Sequence, residues 1–334
     1  MDNFQKQVEK DLKEYKKLRK AWSFLDYSYD TGVIDKETYN YIRSKVGNTF
    51  TIHGYNSTYL DDILNNRLVL SDNYGEAIAL YDNHKFSAYV DSYENNDIGD
   101  YIMEFFKYMN CHKLYEKLLA KNMVAVVERV NDSHAGGYCT EFGRLSYIVH
   151  NDCNNAIYLG SGIAHEMGHA LVHYILSRDK QYFYDIALTD EIVSLLFEKA
   201  FLDFLMENSH VNKKILKKQL SNTEYKYYDI TVECKEALDA LDDPKAHCII
   251  DENNINYSKN GTRYKNYFKY NNHAIGNILS AKLLSENEKD HRYFIKHLSD
   301  LIWEFEETPP DEVIDKFTDI DALSTRLDRV LIKK

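Results

Sequence analysis

The spacing of apolar residues predicts a chain that is mainly helical. Residues 1–25 combine many charged side chains with an apolar stripe that recurs every three to four positions, as in an amphipathic helix. No proline precedes Pro244, so long helices can form without interruption. Further helices are predicted at 34–46, across 76–121 with a break near Asn95 and Asn96, from 198 to about 220, and at 228–241, 272–286, 290–306 and 310–331.

The patterns typical of strands are concentrated in one part of the chain. Short strands are predicted at Met123–Val130, Leu145–His150 and Ala156–Leu159, with a loop at Asn131–Gly143. After residue 220 the chain looks polar and irregular, and a Gly-containing loop is predicted near residue 260. The strands lie directly before a strongly apolar helical segment. The predicted fold is therefore mainly α, with a small β-sheet beside this helix.

The length of the chain bears on its domain organisation. The 334 residues suffice for one large or two modest domains, and a hydrophobic content of 44% lies in the globular range. We find no internal repeat and no linker rich in Gly, Ser or Pro. We therefore expect a helical N-terminal region at residues 1–120 and a second region at 121–334, which together form one compact unit.

The charge and the cysteine content narrow the possible classes of protein. A net charge of −12 argues against binding to nucleic acid or to an acidic membrane surface, because both require clustered Lys and Arg. No apolar run approaches the length of a transmembrane span. The five cysteines have no paired spacing, and the first residues lack an apolar signal core. We therefore expect a cytoplasmic protein with reduced thiols, whose oligomeric state the sequence does not predict.

The pattern His165-Glu-Met-Gly-His169 lies in the apolar helical segment and is typical of zinc hydrolases. Residues four apart share one face of a helix, so His165 and His169 can bind the same cation. Glu166 projects about 100° further round the helix, from where it can reach a water molecule at the metal and act as general base. Buried helices rarely carry such residues unless they are paired or bind a metal. The motif therefore predicts a catalytic site for one zinc ion.

The third protein ligand that a catalytic zinc needs has to come from another part of the chain. In metzincins a Gly and a further His follow the second His by three and six residues, but these positions are Val172 and Ile175 here. His173 lies one turn after His169, and three His in consecutive turns would span about 12 Å, too far for one ion. We therefore interpret His173 as a hydrogen-bonded residue.

A glutamate on a second predicted helix is the best candidate for this ligand. Thr189 or Asp190 is a suitable N-cap for the helix, which would place Glu191 in its first turn. Ser194 and Glu198 follow on the same face, where they can orient a ligating imidazole. For Glu198 a solvated surface position is an equally good interpretation of the spacing. The sequence therefore predicts Glu191 as the third zinc ligand.

These motifs resemble the zinc oligopeptidase family of thimet oligopeptidase and oligoendopeptidase F. The family carries His-Glu-x-Gly-His-Ala and, later, Glu-x-x-Ser-x-x-x-Glu, which residues 165–170 and 191–198 match. A Gly-Ala-Tyr-Cys-like turn and a short strand precede the family's zinc helix, in the places of Gly136–Cys139 and Leu145–His150. The resemblance implies a thermolysin-like zincin core of oligopeptidase type and a zinc endopeptidase that hydrolyses short peptides.

Two groups of residues are candidates for contacts with a peptide substrate. Gly136 and Gly137 either allow close approach of a peptide backbone or form an ordinary turn. Tyr138 follows them in the segment that resembles the family and is included as a substrate-binding candidate. Near its C-terminus the family also places a His and two Tyr that hold the oxyanion and the substrate. The candidates for these positions are Tyr264, Tyr267, Tyr270 and His273.

Two other functions remain open from the sequence. The first is a specialised metallopeptidase that processes one particular protein or leader peptide. The second is a catalytically silent relative that only binds peptides. The presence of Glu166 argues against the second function, because binding alone does not need a general base.

Overall fold

The structure is a computed structural model that describes most of the chain from residue 97 onward and short parts before it. The described residues are 36, 73–84, 97–127, 136–151, 155–177, 187–241, 247–250, 255–259, 262–264, 267–287, 291–308 and 310–331. The helix predicted at 1–25 and the break near Asn95 lie outside these residues. Of the helix predicted at 34–46, only Lys36 is described, and it is helical.

Helices dominate the part of the chain that the structure describes. They are α1 (73–82), α2 (Ile98–Tyr108), α3 (His112–Ala120), α4 (Ala156–Leu176), α5 (Ala187–Asn208), α6 (Lys213–Leu241), α7 (Tyr267–Asn287), α8 (His291–Glu307), α9 (Pro310–Phe317) and α10 (Ile320–Val330). The strands are β1 (Val124–Val127), β2 (Gly137–Phe142), β3 (Leu145–Asn151), β4 (His247–Ile250), β5 (Ile255–Lys259) and β6 (Thr262–Tyr264). None of the described helices is long and apolar enough to cross a membrane.

The chain divides into two compact units. The larger unit comprises residues 72–232 and 272–334, and the smaller unit comprises residues 1–71 and 233–271. Strands β1 to β3 belong to the larger unit, and strands β4 to β6 belong to the smaller one. The motif helix α4 and the helix α5 that follows it both lie in the larger unit.

The sheet of the larger unit has the strand order β1–β3–β2. The central strand β3 is parallel to β1 and antiparallel to β2. Along β3, Ser146, Ile148 and His150 are buried in alternation, as expected for a strand with one face against a protein layer. Helix α4 packs against this strand, and its His173 Nδ1 lies 2.7 Å from Ser146 Oγ. A mainly α fold with a small sheet beside the motif helix is therefore confirmed.

The segment before α4 differs from the sequence prediction in two places. Residues 137–142, predicted as part of a loop, form the edge strand β2. Residues 156–159, predicted as a strand, are the first turn of α4. Asn155 caps this helix, because its side chain accepts a 3.0 Å hydrogen bond from the backbone N–H of Tyr158. This cap determines the start of the helix more strongly than the short run of β-forming residues that follows it.

The later helices also differ from the prediction in their boundaries. Helix α6 is continuous from Lys213 to Leu241, through a stretch that was expected to be irregular. The helix predicted at 310–331 is divided into α9 and α10. Asp319 begins α10, since its side chain accepts a 2.9 Å hydrogen bond from the backbone N–H of Ala322.

The sheet of the smaller unit was not expected from the sequence. It is antiparallel with β5 in the centre, where Tyr257 pairs with Cys248 on β4 and with Tyr264 on β6. Strand β5 ends at Lys259 and β6 begins at Thr262, so the predicted loop connects these two strands. Strands of three to five residues carry too little alternation to be recognised in the sequence.

Candidate metal centre

Helix α4 presents the two histidines of its motif on one face. His165 and His169 lie one turn apart, and their Nε2 atoms are 3.2 Å from each other. The two rings meet edge to face, with centroids 4.9 Å apart. Their side chains are only 12% and 14% exposed. Two imidazole nitrogens therefore face the same point in a largely buried environment.

Helix α5 contacts α4 at Gly168, the glycine of the motif. A Cβ atom at this position would lie 2.5 Å from Cα and 2.9 Å from the backbone N of Ser194, so the two backbones touch. Glu191 lies one turn before Ser194 on the same face of α5. This contact brings its carboxylate to the two histidines. The ligand atoms of His165, His169 and Glu191 all lie within 4.8 Å of one another.

The spacing of these donor atoms fits a zinc ion. Two nitrogens bound to zinc at about 2.1 Å in tetrahedral geometry are about 3.4 Å apart, close to the separation of the two Nε2 atoms. Glu191 Oε2 is 3.9 Å from His165 Nε2, so a small movement of this carboxylate would complete a set of three ligands for an ion. Two imidazoles and one carboxylate are a ligand set of catalytic zinc sites, in which the fourth position is left for water.

The outer nitrogen of each histidine contacts a carboxylate. Nδ1 of His165 is 3.1 Å from Glu198 Oε2, and Nδ1 of His169 is 2.8 Å from Asp190 Oδ2. A carboxylate beside Nδ1 favours the tautomer with the proton there, which leaves the Nε2 lone pair for a metal. The Tyr227 hydroxyl donates a 2.7 Å hydrogen bond to the same Oε2 of Glu198. Glu198 is only 5% exposed, so the alternative that it is a solvated surface residue is wrong.

Charged neighbours shift the pKa values of His169 and Glu198. Burial lowers the pKa of His169, but the charge and hydrogen bond of Asp190, together with the charges of Glu191 and Glu166, raise it to about 10. Burial raises the pKa of Glu198, yet Lys226 and the hydrogen bonds from its neighbours lower it to about 2. Glu198 is therefore ionised at neutral pH, and its carboxylate can accept a hydrogen bond from the outer nitrogen of His165.

The side chain of Glu166, a residue of α4, lies beside Gly137 of the edge strand β2, and Glu166 is 6% exposed. A Cβ atom at Gly137 would lie 2.9 Å from Glu166 Oε1 and 2.8 Å from His150 Cδ2. The same position at Gly136 has no atom within 4 Å. Of the two glycines, Gly137 is therefore the one in close contact with the candidate general base. Tyr138 follows on β2 and is 57% exposed.

His273 is the described candidate from the C-terminal part of the chain that reaches the cluster. Its Nε2 lies 3.2 Å from Glu191 Oε2, and its ring stacks on that of His165 with centroids 6.4 Å apart. Helix α7 approaches α5 at Gly276, where a Cβ atom would lie 3.2 Å from the backbone C and O of Glu191. His273 lies one turn before Gly276 on the same face, so this contact places its imidazole at the cluster.

The other residues that the sequence suggested for the site or for the start of α5 are not placed in the predicted roles by the described contacts. Ser194 Oγ donates to the backbone O of Asp190 at 2.8 Å and lies 3.5 Å from Glu191 Oε2, so its bonds go to its own helix rather than to a histidine. Thr189 and Asp190 lie inside α5, and neither is the N-cap that the sequence predicted. Tyr264 lies on β6, and Tyr267 and Tyr270 lie on α7, with side chains outside the described residues.

Three residues at the site were missed in the sequence. Asp190 contacts His169, Tyr227 contacts Glu198, and the Lys226 ammonium lies 3.4 Å from the Tyr227 hydroxyl. For Asp190 the available signal was its position directly before the candidate ligand. Lys226 and Tyr227 lie on α6, which carries no motif, and tyrosine is too frequent in this chain, at 28 residues, to stand out.

The fold of the chain is similar to those of two proteins of known structure. One is a protein assigned as an oligoendopeptidase F from Bacillus anthracis str. Ames, with 12% sequence identity and a TM-score of 0.52, over 82% of this chain and 56% of that one. The other is PZ peptidase A, solved with an inhibitor, with 12% identity and a TM-score of 0.50, over 83% of this chain and 58% of that one. No protein-family profile matches the sequence, and no curated protein is significantly similar to it.

At this level of identity the similarity establishes the fold. The resemblance to the oligopeptidases is confirmed in that sense: the chain has a mainly α, oligopeptidase-type fold. It spans somewhat more than half the length of these two proteins.

Proposed function

We propose that the protein is a zinc-dependent peptidase that hydrolyses peptide bonds in short peptides. The observation that supports this most is the convergence of His165, His169 and Glu191 within 4.8 Å, next to Glu166 on α4. In this proposal the first three residues hold one zinc ion and Glu166 is the general base. The same residues make a purely peptide-binding protein the weaker alternative, since binding alone has no use for the base.

The proposed reaction is hydrolysis by an activated water molecule. A bound zinc ion would supply a Lewis acid that lowers the pKa of water and polarises the scissile carbonyl. Glu166 takes a proton from the attacking water and later gives it to the leaving nitrogen. His273 donates a hydrogen bond to the carbonyl oxygen as negative charge develops, and such a donor lowers the barrier by about 3–4 kcal/mol in comparable sites. Tyr264, Tyr267 and Tyr270 stay candidates for the same role.

We also assign the edge strand β2 to substrate binding. Within the described sheet, β2 pairs with β3 on one side only. An extended peptide can add to the other side through backbone hydrogen bonds. Because Gly137 of β2 lies next to Glu166, a peptide bound there passes the general base. The exposed Tyr138 side chain is then free to contact the peptide. Binding through the backbone suits short peptides of varied sequence.

The variant Glu166→Gln tests the proposed function. It keeps the shape of the side chain but removes the base, so we expect zinc content by elemental analysis to stay at the wild-type level. Turnover of a pool of internally quenched peptides should fall at least about a hundredfold. Glu116→Gln is a matched control, because Glu116 is exposed on α3. We expect this variant to be as active as the wild type.

Three results would contradict the proposal or redirect it. Wild-type turnover by Glu166→Gln would exclude Glu166 as the base. A wild-type protein that binds zinc and peptides but cleaves neither the pool nor any folded protein or leader peptide would be a peptide-binding protein instead. Cleavage of one folded protein or leader peptide, with no cleavage of the pool, would indicate a specialised processing enzyme.

A further inference from the structure

A series of close contacts runs from helix α6 to the candidate metal ligand His165. The Lys226 ammonium lies 3.4 Å from the Tyr227 hydroxyl, which donates a 2.7 Å hydrogen bond to Glu198 Oε2. The same oxygen lies 3.1 Å from His165 Nδ1. We call Lys226, Tyr227 and Glu198 the outer network. All of its members lie in the larger unit, as does His165.

Glu198 needs these partners because it is buried. A carboxylate at 5% exposure loses most of its hydration, and an unpaired buried charge is costly. Tyr227 is fully buried, and burial and the charge of Glu198 keep the pKa of its hydroxyl well above 10, so this hydroxyl stays protonated and donates. One carboxylate oxygen thus accepts hydrogen bonds from two fixed directions, which determines where the His165 ring can lie.

Lys226 supplies the positive charge at the outer end of the network. Its side chain is exposed, and its ammonium lies beside the Tyr227 hydroxyl. Partial loss of hydration lowers the pKa of this ammonium, but the combined effect of neighbouring acidic groups, of which Glu198 is the strongest, raises it above its ordinary value. The ammonium also lies 4.9 Å from the centre of the Tyr227 ring, a cation–π contact that holds it over this side chain.

A second lysine near Glu198, Lys199, is buried but has other partners. Lys199 follows Glu198 on α5, but its ammonium donates a 3.1 Å hydrogen bond to the backbone O of Asn277 and lies 3.5 Å from Glu224. Its distance from the centre of the Tyr227 ring is 5.9 Å, larger than that of Lys226. Lys226 is therefore the lysine whose contacts lead to Glu198.

We propose that Lys226 and Tyr227 are positioning residues of the metal centre, which act on zinc affinity through Glu198 and His165. This inference rests on the proposed metal centre and extends it to a helix that carries no motif. Removal of Tyr227 OH frees the Glu198 carboxylate to rotate, and removal of the Lys226 charge leaves that carboxylate poorly compensated. In both cases His165 loses part of the contact that holds its ring and its tautomer.

The test is the zinc affinity of purified variants, measured by competition with a chromophoric chelator at one fixed pH near neutrality. Loss of a partner of this kind typically weakens metal binding by about 10–100-fold, and we expect about tenfold for Lys226→Met and for Tyr227→Phe. Lys226→Arg keeps the charge and should bind zinc nearly as tightly as the wild type. Lys217→Met is the matched control, because Lys217 is exposed on the same helix. It should not change zinc affinity.

The outcomes separate this inference from the proposed function. Wild-type zinc affinity in both Lys226→Met and Tyr227→Phe, or equal weakening by Lys226→Arg and Lys226→Met, would overturn the role of the network. A purely structural role would lower the melting temperature of these variants but leave the zinc affinity below that temperature unchanged. His169→Ala serves as the reference for the metal centre. If it also binds zinc like the wild type, the proposed centre itself is wrong.

Discussion

At Gly137 the structure leaves room for a hydrogen atom but not for a methyl group. The added Cβ atom of Gly137→Ala would lie 2.8 Å from His150 Cδ2 and 2.9 Å from Glu166 Oε1, so these two side chains or strand β2 have to move. Because small displacements of a catalytic group can cost about a hundredfold in rate, we expect kcat/KM on the peptide pool to fall about 10–100-fold. Zinc content should not change, since no candidate ligand is among the atoms met by the new Cβ.

The neighbouring Gly136 provides the control for this prediction. Its Cβ position is open, and neither glycine adopts a positive φ, so alanine suits the backbone at both positions. We expect Gly136→Ala to retain wild-type activity. Equal activity of the two variants would show that the close contact at Gly137 has no catalytic consequence.

These two glycines also show which properties of single residues can be predicted from the sequence and which cannot. The positions of His165 and His169 follow from local helix geometry, so their convergence could be predicted from spacing alone. Gly136 and Gly137 are adjacent in the sequence and could not be distinguished. The difference between them depends on how strand β2 lies against α4, which is a matter of tertiary packing.

At the scale of elements, the site depends on how closely α4 and α5 approach. Gly168→Ala would place a Cβ atom 2.5 Å from Ser194 Cα, and backbone atoms cannot move aside as a flexible side chain can. We expect the free energy of unfolding, measured by urea denaturation, to fall by about 1–3 kcal/mol or more. Zinc affinity should also fall, because separation of the helices moves Glu191 away from His165.

Gly99→Ala is the control at this scale. Gly99 also lies in a helix, but no atom lies within 4 Å of its Cβ position. Alanine is a better helix former than glycine, so this variant should be as stable as the wild type or up to about 1 kcal/mol more stable. A Gly168→Ala variant that is as stable as the wild type would contradict the prediction.

Most helices could be predicted from the sequence, but their boundaries and their contacts with one another could not. Helices α4 and α5 are long and carry motifs, so their existence and their candidate ligands could be found. The start of α4 and the division between α9 and α10 were missed, because single caps at Asn155 and Asp319 determine them. The role of α6 could not be found, since Tyr227 joins the site only through packing against α5.

At the scale of the larger unit, a buried ion network joins several helices. Glu224 is fully buried on α6. It accepts a 2.9 Å hydrogen bond from Arg326 Nε of α10 and a 3.2 Å bond from Tyr81 OH of α1, and it lies 3.5 Å from Lys199 Nζ of α5. Glu224→Gln would leave two buried cations without this anion. We expect the free energy of unfolding to fall by about 3–5 kcal/mol.

Glu207→Gln is the comparison for this variant. Glu207 also faces an arginine of α10, Arg329, but both side chains are about half exposed and lie 3.8 Å apart. Surface pairs of this kind contribute little, so the variant should unfold like the wild type. A similar small effect of Glu224→Gln would show that the buried network does not stabilise the unit.

The same network predicts how the free energy of unfolding changes at acidic pH. Burial raises the pKa of Glu224, but Lys199 and Arg326 outweigh burial and hold it below its ordinary value of 4.5. A depressed pKa stabilises the fold above pH 4.5, and this contribution is lost as the pH falls below 4.5 toward the folded pKa. The difference in unfolding free energy between wild type and Glu224→Gln should therefore be largest near neutrality and shrink in acid. A constant difference would contradict the assignment.

The contact between Gly168 and Ser194 also bears on the metal-free protein. An ion bound by His165 and Glu191 closes a loop of about 25 residues, and loop closure normally carries an entropic penalty. Here the backbone contact between α4 and α5 already holds both ends of that loop together. The entropic cost of closing the loop therefore belongs to folding, and binding of the ion does not add it. Unlike a zinc finger, which is unfolded without its metal, this protein should have the ligand residues of the proposed centre in place before any ion binds. Treatment with a chelator should therefore remove a bound ion without unfolding the protein.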